Sequence, residues 1–243
     1  MVDDLAATFE VTTQTIRRDL NELSHSGLLA RVHGGAVLGT SVTNVDYAER
    51  RALARDEKRA IGERAAAMIP NGCSLIVNIG TTTEQVAHAL RGHHDLVVVT
   101  NNINVVNILS GSPGKEIILA GGIVRQSDGA IVGDEAVDFI RKFKVDYAVI
   151  GASALDEDGS IMDFDMREVA VARAIVANAR QTILVSDHDK FERSAPVRIC
   201  TLADIDAFVT DRAPPPAFAE AGARAGIAIE IADGDPTDDG GHD

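Results

Sequence analysis

Short apolar segments rich in β-branched residues, alternating with segments of helical periodicity, constrain the fold of this chain most strongly. These segments are apolar at successive positions, whereas a strand with one face in water alternates. Such strands occur in parallel sheets whose two faces are both covered by helices. Five are expected at 75–79, 96–100, 117–120, 147–150 and 182–186, and a last strand–helix–strand unit at 207–209, 217–225 and 227–231.

The segments between the strands have apolar residues at helical spacing. Helices are expected at 56–69, 84–90, 103–109, 135–143 and 168–179. The sequence therefore predicts an α/β domain with a parallel sheet over 56–232. A linker is expected at 39–55, whose charged part 47–55 is either loop or helix. The tail at 233–243 is acidic and Gly-rich, which predicts disorder.

The N-terminal residues follow a different pattern, which is typical of a helix-turn-helix. A short amphipathic helix at 3–9 carries Leu5, Ala6 and Phe9 on one face. After a short link, Thr12 is a suitable N-cap, because its hydroxyl can accept a bond from a free backbone N–H two or three residues on.

The second helix, expected from 13 to about 24, is polar on one side and apolar on the other. Its apolar side comprises Ile16, Leu20 and Leu23. A helix divided in this way can enter a DNA major groove while its other side is buried. The candidate DNA-contacting residues are Thr12, Thr13, Gln14, Thr15, Arg17 and Arg18. We expect Gln14 and Arg17 to contact bases and Arg18 to contact phosphate.

A hairpin is expected after this helix, with strands at 28–32 and 36–38 around His33-Gly34-Gly35. It would be the wing of a winged helix-turn-helix over residues 1–38. In that arrangement Arg31 and His33 are placed to contact DNA phosphates. The alternative is a pair of surface helices in another fold, since two arginines on a helix are usually solvated.

The residues after the predicted strands indicate a ligand site, because ligands of open parallel sheets bind beyond the carboxyl ends of the strands. Gly80 and Thr81–Thr83 would begin a helix whose free N–H groups and dipole favour a phosphate. Capping by threonine explains this pattern equally well. Lys190, helped by Arg125 or Arg167, would be the cationic partner, although it also fits an ordinary surface lysine. The candidate effector-binding residues are Asn78, Gly80, Thr81, Thr82, Thr83, Thr100, Asn101, Asn102, Gly121, Gly122, Gly151, Asp163, Asp165, Glu168, Asp187 and Lys190.

Motifs in both predicted units resemble the DeoR family of bacterial repressors. In the N-terminal unit they are Thr-Ile-Arg-Arg-Asp-Leu and Arg-Val-His-Gly-Gly-Ala. In the α/β domain they are Asn-Ile-Gly-Thr-Thr-Thr, Val-Thr-Asn-Asn, Leu-Ala-Gly-Gly and Asp-His-Asp-Lys-Phe. The resemblance covers residues 2 to about 231. It implies a sensor of sugar phosphates whose fold is similar to that of sugar-phosphate isomerases.

Further segments at 100–105, 128–133, 162–165 and 210–216 resemble family members that control glycerol metabolism. This resemblance implies a repressor of glycerol-uptake genes that binds operator DNA as a dimer or tetramer. Glycerol 3-phosphate would be the effector that releases it, with another sugar phosphate as the alternative.

Three positions depart from the family pattern. Asn78 stands where members often have aspartate, Ala172 where they usually have lysine, and Asp189 where serine is common. A lysine can pair with a phosphate and an alanine cannot, so these departures predict altered effector affinity.

An enzyme is the main alternative function. An isomerase of related fold needs a carboxylate base, and Asp163, Asp165, Glu168 and Asp187 qualify by position. A sensor needs the same carboxylates to bind hydroxyl groups, and fold similarity does not transfer chemistry. The N-terminal unit favours a regulator, because an isomerase has no use for it. An assembly protein is the third possibility, and neither a metal nor a cofactor is expected.

The net charge of −14 argues against a protein whose whole surface binds nucleic acid, but not against a small reading head. Residues 1–35 hold more acidic than basic side chains. DNA affinity must then come from local arrangement or from several heads together. No signal peptide or membrane-spanning run is present, which predicts a cytoplasmic protein. Family modules have one further helix before this point, so we expect that Met1 is not the natural start or that DNA binding is weak.

Overall fold

The computed structural model describes residues 2–9, 11–25, 29–32, 35–38 and 46–232. Its N-terminal elements are α1 (Val2–Thr8), α2 (Thr13–His25), β1 (Leu29–Val32) and β2 (Gly35–Leu38). The two strands pair antiparallel, with Leu29 opposite Leu38 and Val32 opposite Gly35. The order of two helices and a hairpin is the predicted one.

A small apolar cluster joins the two N-terminal helices. Ala6, Ile16 and Leu20 are buried in it, and Leu5 packs against it from α1. Phe9 is 64% exposed and does not belong to this cluster, although it was expected on the apolar face of the first helix. The α1 face that packs on α2 therefore ends before Phe9.

The larger unit begins with described residue 46. Its helices are α3 (Tyr47–Ala52), α4 (Arg55–Ala67), α5 (Thr81–Ala89), α6 (Ile103–Leu109), α7 (Asp134–Ile140), α8 (Met166–Ala177) and α9 (Pro216–Ala225). Its strands are β3 (Ser74–Val77), β4 (Leu96–Thr100), β5 (Lys115–Leu119), β6 (Ile123–Arg125), β7 (Ala130–Val132), β8 (Val145–Ile150), β9 (Ala154–Leu155), β10 (Ser160–Asp163), β11 (Ala179–Val185), β12 (Val197–Thr201), β13 (Ala207–Thr210) and β14 (Ala228–Ile231).

Seven of these strands form one sheet in the order β14-β13-β11-β8-β3-β4-β5. Every neighbouring pair is parallel, which confirms the predicted α/β class. The chain moves outward from β3 through β4 to β5, and then returns to place β8 on the other side of β3. The strand order therefore reverses between β3 and β8. Ligand-binding crevices of open α/β sheets lie beyond the carboxyl ends of the strands at such a reversal.

Helices cover both faces of the sheet, which explains why its strands are apolar at successive positions. Along β3, Leu75 and Val77 face the cluster that contains α4, α5 and α6. Ile76 faces the opposite cluster, which contains α7, α8 and α9. All three side chains are fully buried, and burying a side chain of this size contributes roughly 1.5–3 kcal/mol.

Two small antiparallel sheets were not expected from the sequence. One has the order β12-β10-β9, and the other is the hairpin of β6 and β7. Their strands have two to five residues, too few to show a clear period. The β10 strand matters for the site, because it places Asp163 in a buried position.

Part of the predicted linker belongs to the α/β unit. Asp46 caps α3 by accepting a bond from the Ala48 N–H at 2.9 Å. The Tyr47 hydroxyl then donates to the Glu84 carboxylate, with O–O distances of 2.8 and 2.9 Å. The remaining linker residues 39–45 and the tail at 233–243 lie outside the described residues. None of the described helices is long and apolar enough to cross a membrane.

Candidate effector site and DNA-reading helix

A small cleft opens where β3 and β8 separate, at the carboxyl edge of the sheet. We call it the switch-point cleft. Its lining comes from the ends of both strands, from α3, from β10 and α8, and from the turn after β11. The lining residues are Arg50, Ile79, Gly80, Thr81, Thr82, Gly151, Ala152, Ser153, Asp163, Glu168 and Lys190. Its place in the sheet is the one that the strand order predicts for a ligand.

The first turn of α5 presents free backbone N–H groups to this cleft. Gly80 is the N-cap residue, and no side chain caps the helix there. The Thr83 hydroxyl instead donates to the carbonyls of Asn78 and Gly80, at 2.8 Å each. The backbone of Gly80 has φ +142°, a conformation that is essentially restricted to glycine. The uncapped N-terminus of this nine-residue helix can therefore bind an anion.

Lys190 brings a buried ammonium group to the same cleft. It lies in a short 3-10 helix, His188–Glu192, that follows β11, and only 6% of it is exposed. Burial lowers the pKa of Lys190 to about 7, although the nearby Asp187 acts in the opposite direction. An anion bound next to Lys190 would favour the charged form and raise that pKa again.

Two carboxyl groups also belong to the lining. Asp163 Oδ2 accepts a bond from the Ser153 hydroxyl at 3.1 Å, and Oδ1 accepts from the Phe164 N–H at 2.6 Å. Burial raises the pKa of Asp163 above its usual range. Burial also raises the pKa of Glu168 to about 8, and the Asp163 charge adds to this effect. Both shifts favour the protonated forms, which can donate as well as accept bonds with ligand hydroxyls.

Arg50 reaches the cleft from α3 and was not among the candidate residues. Its side chain is 16% exposed, and one terminal nitrogen lies 3.5 Å from the Asp128 carboxylate. Its Nε is buried and has no hydrogen-bond partner within the described part of the chain. The sequence signal was present, because Tyr47 and Arg50 share one face if 47–55 is helical. Ser153 was also missed, although it follows Gly151 at the end of β8.

Seven of the sixteen proposed effector residues line the cleft. They are Gly80, Thr81, Thr82, Gly151, Asp163, Glu168 and Lys190. The others have different surroundings in the structure, which we give in turn.

The polar residues after β4 stabilise the strand end and do not line the cleft. The Thr100 hydroxyl donates to the Val77 carbonyl at 2.7 Å, which joins β4 to β3. The Asn101 amide donates to the Ile131 carbonyl at 3.2 Å. The Asn102 side chain caps α6 by accepting from the Asn104 N–H at 2.8 Å. These residues, like Thr83, bond to neighbouring parts of the chain, and among them Asn102 is the one that caps a helix.

Four further candidates also lie outside the lining. Gly121 and Gly122 are exposed after β5, and a Cβ on Gly122 would approach Ile131 Cγ2 to 3.0 Å. Asp165 caps α8 by accepting from the Arg167 N–H at 2.9 Å. Asp187 is buried and lies 3.9 Å from the Lys58 ammonium.

The two arginines suggested as helpers of Lys190 already have acidic partners. Arg125 binds Asp128 at 2.6 Å and Glu168 at 2.7 Å, and it also pairs with Asp165 at 3.0 Å. Arg167 is exposed and pairs with Asp165 at 2.8 Å. Neither lines the cleft.

The three departures from the family pattern also have defined positions. Asn78 is 2% exposed, and its Oδ1 has no hydrogen-bond partner. Ala172 is fully buried in the apolar cluster beneath α8. Asp189 is 44% exposed and lies 3.5 Å from Arg212. Among the three, Asn78 is nearest in sequence to the cleft lining.

The second helix of the N-terminal unit has the predicted two-sided surface. Thr12 Oγ1 accepts a bond from the Thr15 N–H at 3.2 Å, as expected of an N-cap. Ile16 and Leu20 are buried. The proposed DNA-contacting residues that are exposed are Thr12, Thr13, Gln14, Thr15, Arg17 and Arg18. The side chain of Arg31 and the whole of His33 lie outside the described residues.

Comparison with known proteins identifies the class of protein. Residues 53–212 match the profile of the DeoR C terminal sensor domain, and residues 1–42 match that of the DeoR-like helix-turn-helix domain. The chain belongs to the DeoR family of transcriptional regulators. The expected family and the expectation of a regulator rather than an enzyme are both confirmed.

Individual relatives are named as repressors. The glycerol-3-phosphate regulon repressor of Escherichia coli K12 is 47% identical over 214 residues, which are 88% of this chain and 84% of that protein. The HTH-type transcriptional repressor CsqR of the same organism is 41% identical, over 89% of this chain and 83% of its own length. Ribose 5 phosphate isomerase A from Neisseria gonorrhoeae has a TM-score of 0.39 and 14% identity, over 55% of this chain and 52% of the isomerase. The likeness to the isomerase is too distant to bear on function.

Proposed function

We propose that this chain represses genes of glycerol 3-phosphate metabolism and leaves its operator when a small phosphorylated metabolite occupies the switch-point cleft. The observation that carries the proposal is the meeting of a buried lysine and an uncapped helix N-terminus in one cleft, at the strand-order reversal. Glycerol 3-phosphate is the preferred effector because the relative at 47% identity is named for it.

The lining of the cleft provides both kinds of group that such a ligand needs, one for its phosphate and one for its hydroxyls. The phosphate would accept bonds from the N–H groups at Gly80–Thr82 and pair with Lys190. The hydroxyl groups would bond to Ser153 and to the Asp163 and Glu168 pair. The raised pKa values of these carboxyl groups reduce their repulsion of an anion.

Operator binding would use the exposed side of α2 in at least two copies of the chain. Gln14 and Arg17 would contact base edges, and Arg18 and Arg31 would contact phosphates. Two heads at a fixed distance gain affinity through their linkage, which compensates for a head that is not basic. To weaken operator binding about a hundredfold, the effector must favour the released state by roughly 2.7 kcal/mol.

The test uses a fluorescent DNA fragment from upstream of glycerol-utilisation genes. Anisotropy would measure binding of the full chain, with a scrambled fragment of equal length as control. Titrated sn-glycerol 3-phosphate should release the specific fragment, whereas glycerol should not. A panel of other three- to six-carbon phosphates tests the alternative effector. Operator binding that responds to no phosphoester would refute the proposal, and turnover of any of them would favour an enzyme.

A further inference from the structure

Helix α3 is attached to the helix whose first turn lines the switch-point cleft. Besides its two bonds to Glu84, the Tyr47 hydroxyl accepts a bond from the Asn104 amide at 2.9 Å. Glu84 lies on α5 and is buried. The start of α3 is therefore fixed to α5 by hydrogen bonds.

The other end of α3 is held by a lysine that lies near the end of β11. Lys58 is a buried lysine on α4, and its ammonium donates to the Arg50 carbonyl at 2.7 Å and to the Leu53 carbonyl at 2.6 Å. The same ammonium lies 3.9 Å from the Asp187 carboxylate, three residues before Lys190. Contacts at both ends thus hold α3 as part of the cleft wall.

Between these contacts, Arg50 has more donors than partners. Its long 3.5 Å ion pair is to Asp128, which already binds Arg125 through two shorter bonds of 2.6 and 2.9 Å. Its Nε has no hydrogen-bond partner among the residues that the structure describes. A guanidinium carries five N–H donors and binds phosphate through two at once. A half-buried arginine with an unpaired Nε on the wall of this cleft is suited to bind an anion.

We propose that Arg50 binds the anionic group of the effector together with Lys190 and the first turn of α5, and that effector binding thereby adds a third contact that makes α3 more rigid. The proposal rests on the proposed function. Along the chain, α3 is the first described helix after the DNA-reading unit. A ligand that joins α3 to α5 thus acts on the segment that leads to that unit. Differential contacts of this kind are what a ligand needs to shift an equilibrium.

A matched pair of variants tests Arg50 as a ligand. Arg50→Gln removes the guanidinium from the cleft. Arg51→Gln makes the same change of charge on the next residue, which is exposed and does not line the cleft. Calorimetric titration with sn-glycerol 3-phosphate should give a dissociation constant raised about tenfold or more for Arg50→Gln. Arg51→Gln should bind as the parent does. Arg50→Lys, which keeps the charge and loses the fork, should be intermediate.

Hydrogen exchange of a peptide covering residues 46–53 tests whether binding fixes α3. Glycerol 3-phosphate should slow exchange there in the parent and in Arg51→Gln, but not in Arg50→Gln. Equal binding by Arg50→Gln and the parent would overturn the assignment of Arg50. Binding without protection of 46–53 would overturn the role of α3. Circular dichroism checks folding, and if Arg50→Gln fails to fold, Arg50→Lys decides.

The two proposals fail differently. If the parent binds glycerol 3-phosphate and releases DNA while Arg50→Gln does the same, only the inference about Arg50 falls. If the parent binds no phosphoester, inorganic phosphate is titrated instead of glycerol 3-phosphate as the probe of the cleft. Weaker phosphate binding by Arg50→Gln than by Arg51→Gln would then support Arg50 as an anion ligand, although the proposed effector is wrong. No phosphate binding by the parent would overturn both.

Discussion

Replacing Lys190 by methionine should make the protein more stable while it weakens effector binding. Lys190 is buried at the switch-point cleft, where burial disfavours its charged form. Methionine has a similar length and no charge, so it can occupy the same space. The stability of the parent is reduced because folding takes a charged lysine out of water.

The size of this effect follows from the pKa of Lys190, which is lowered from 10.5 to about 7. Each unit corresponds to 1.36 kcal/mol, so the full difference is roughly 4–5 kcal/mol below pH 7. Because the pKa of Lys190 is lower in the folded protein, the destabilisation is complete below the folded pKa. It decreases as pH rises and disappears above the unfolded pKa of 10.5. The advantage of Lys190→Met should thus be largest below pH 7, about 2 kcal/mol at pH 9, and nearly absent near pH 10.5. The lowered pKa of Lys190 already includes the attraction to Asp187, so roughly 4 kcal/mol is expected at pH 7.

Urea unfolding of the parent and of Lys190→Met at several values between pH 6 and pH 9.5 would measure this difference. Lys58→Met is the contrasting variant. Lys58 is also buried, but it donates to the Arg50 and Leu53 carbonyls, which the change would leave unpaired. It should therefore destabilise the fold. A stability gain for Lys190→Met that does not shrink as pH rises would refute the reasoning, since the gain would not come from a buried charge.

Three other measurements test the site and the reading helix. Effector binding at pH 8 should be accompanied by uptake of part of a proton, because an anion raises the lowered pKa of Lys190. Calorimetry in buffers of different ionisation enthalpy detects this uptake. Equal binding enthalpies in all buffers would contradict the prediction. Gly80→Ala should cost about 1–3 kcal/mol of stability and weaken effector binding, because its φ of +142° excludes a Cβ. Gly111→Ala, in open space, is the neutral control, and thermal unfolding compares them. Arg17→Ala should lose about 1–3 kcal/mol of operator-binding free energy and relax the sequence specificity at one base pair. Arg18→Ala should instead weaken binding to all DNA sequences alike and lower the salt dependence of binding. Anisotropy with mutated operators separates the two, and parent-like binding by Arg17→Ala would exclude its base contact.

The fold was predictable from the sequence because burial on two faces leaves a strong pattern. The strand Leu96–Thr100 and the helix Ile103–Leu109 have the predicted bounds. Some strands begin earlier than expected, as at Val145 and Ala179, where polar and charged residues lie at the rim of the sheet. Such residues pair through their backbones, which side-chain hydropathy does not show.

The candidate site was predictable in its position but only partly in its residues. The rule that ligands bind beyond carboxyl ends of strands selected Gly80 and Lys190, and both line the cleft. It could not separate polar groups that face the cleft from groups such as Thr100, which bonds to a neighbouring strand. The rule also could not find Arg50, because α3 comes before β3, the first strand of the large sheet along the chain, and reaches the cleft only through tertiary packing.

The structure changes what the three departures from the family pattern imply for effector affinity. Ala172 is buried in an apolar cluster and Asp189 pairs with Arg212 at the surface, so neither changes the lining of the cleft. Asn78 is buried two residues before Gly80, and a neutral amide there adds no negative charge near a bound anion. The departures therefore give no physical reason for weaker binding of a phosphorylated effector, and the one at position 78 favours it.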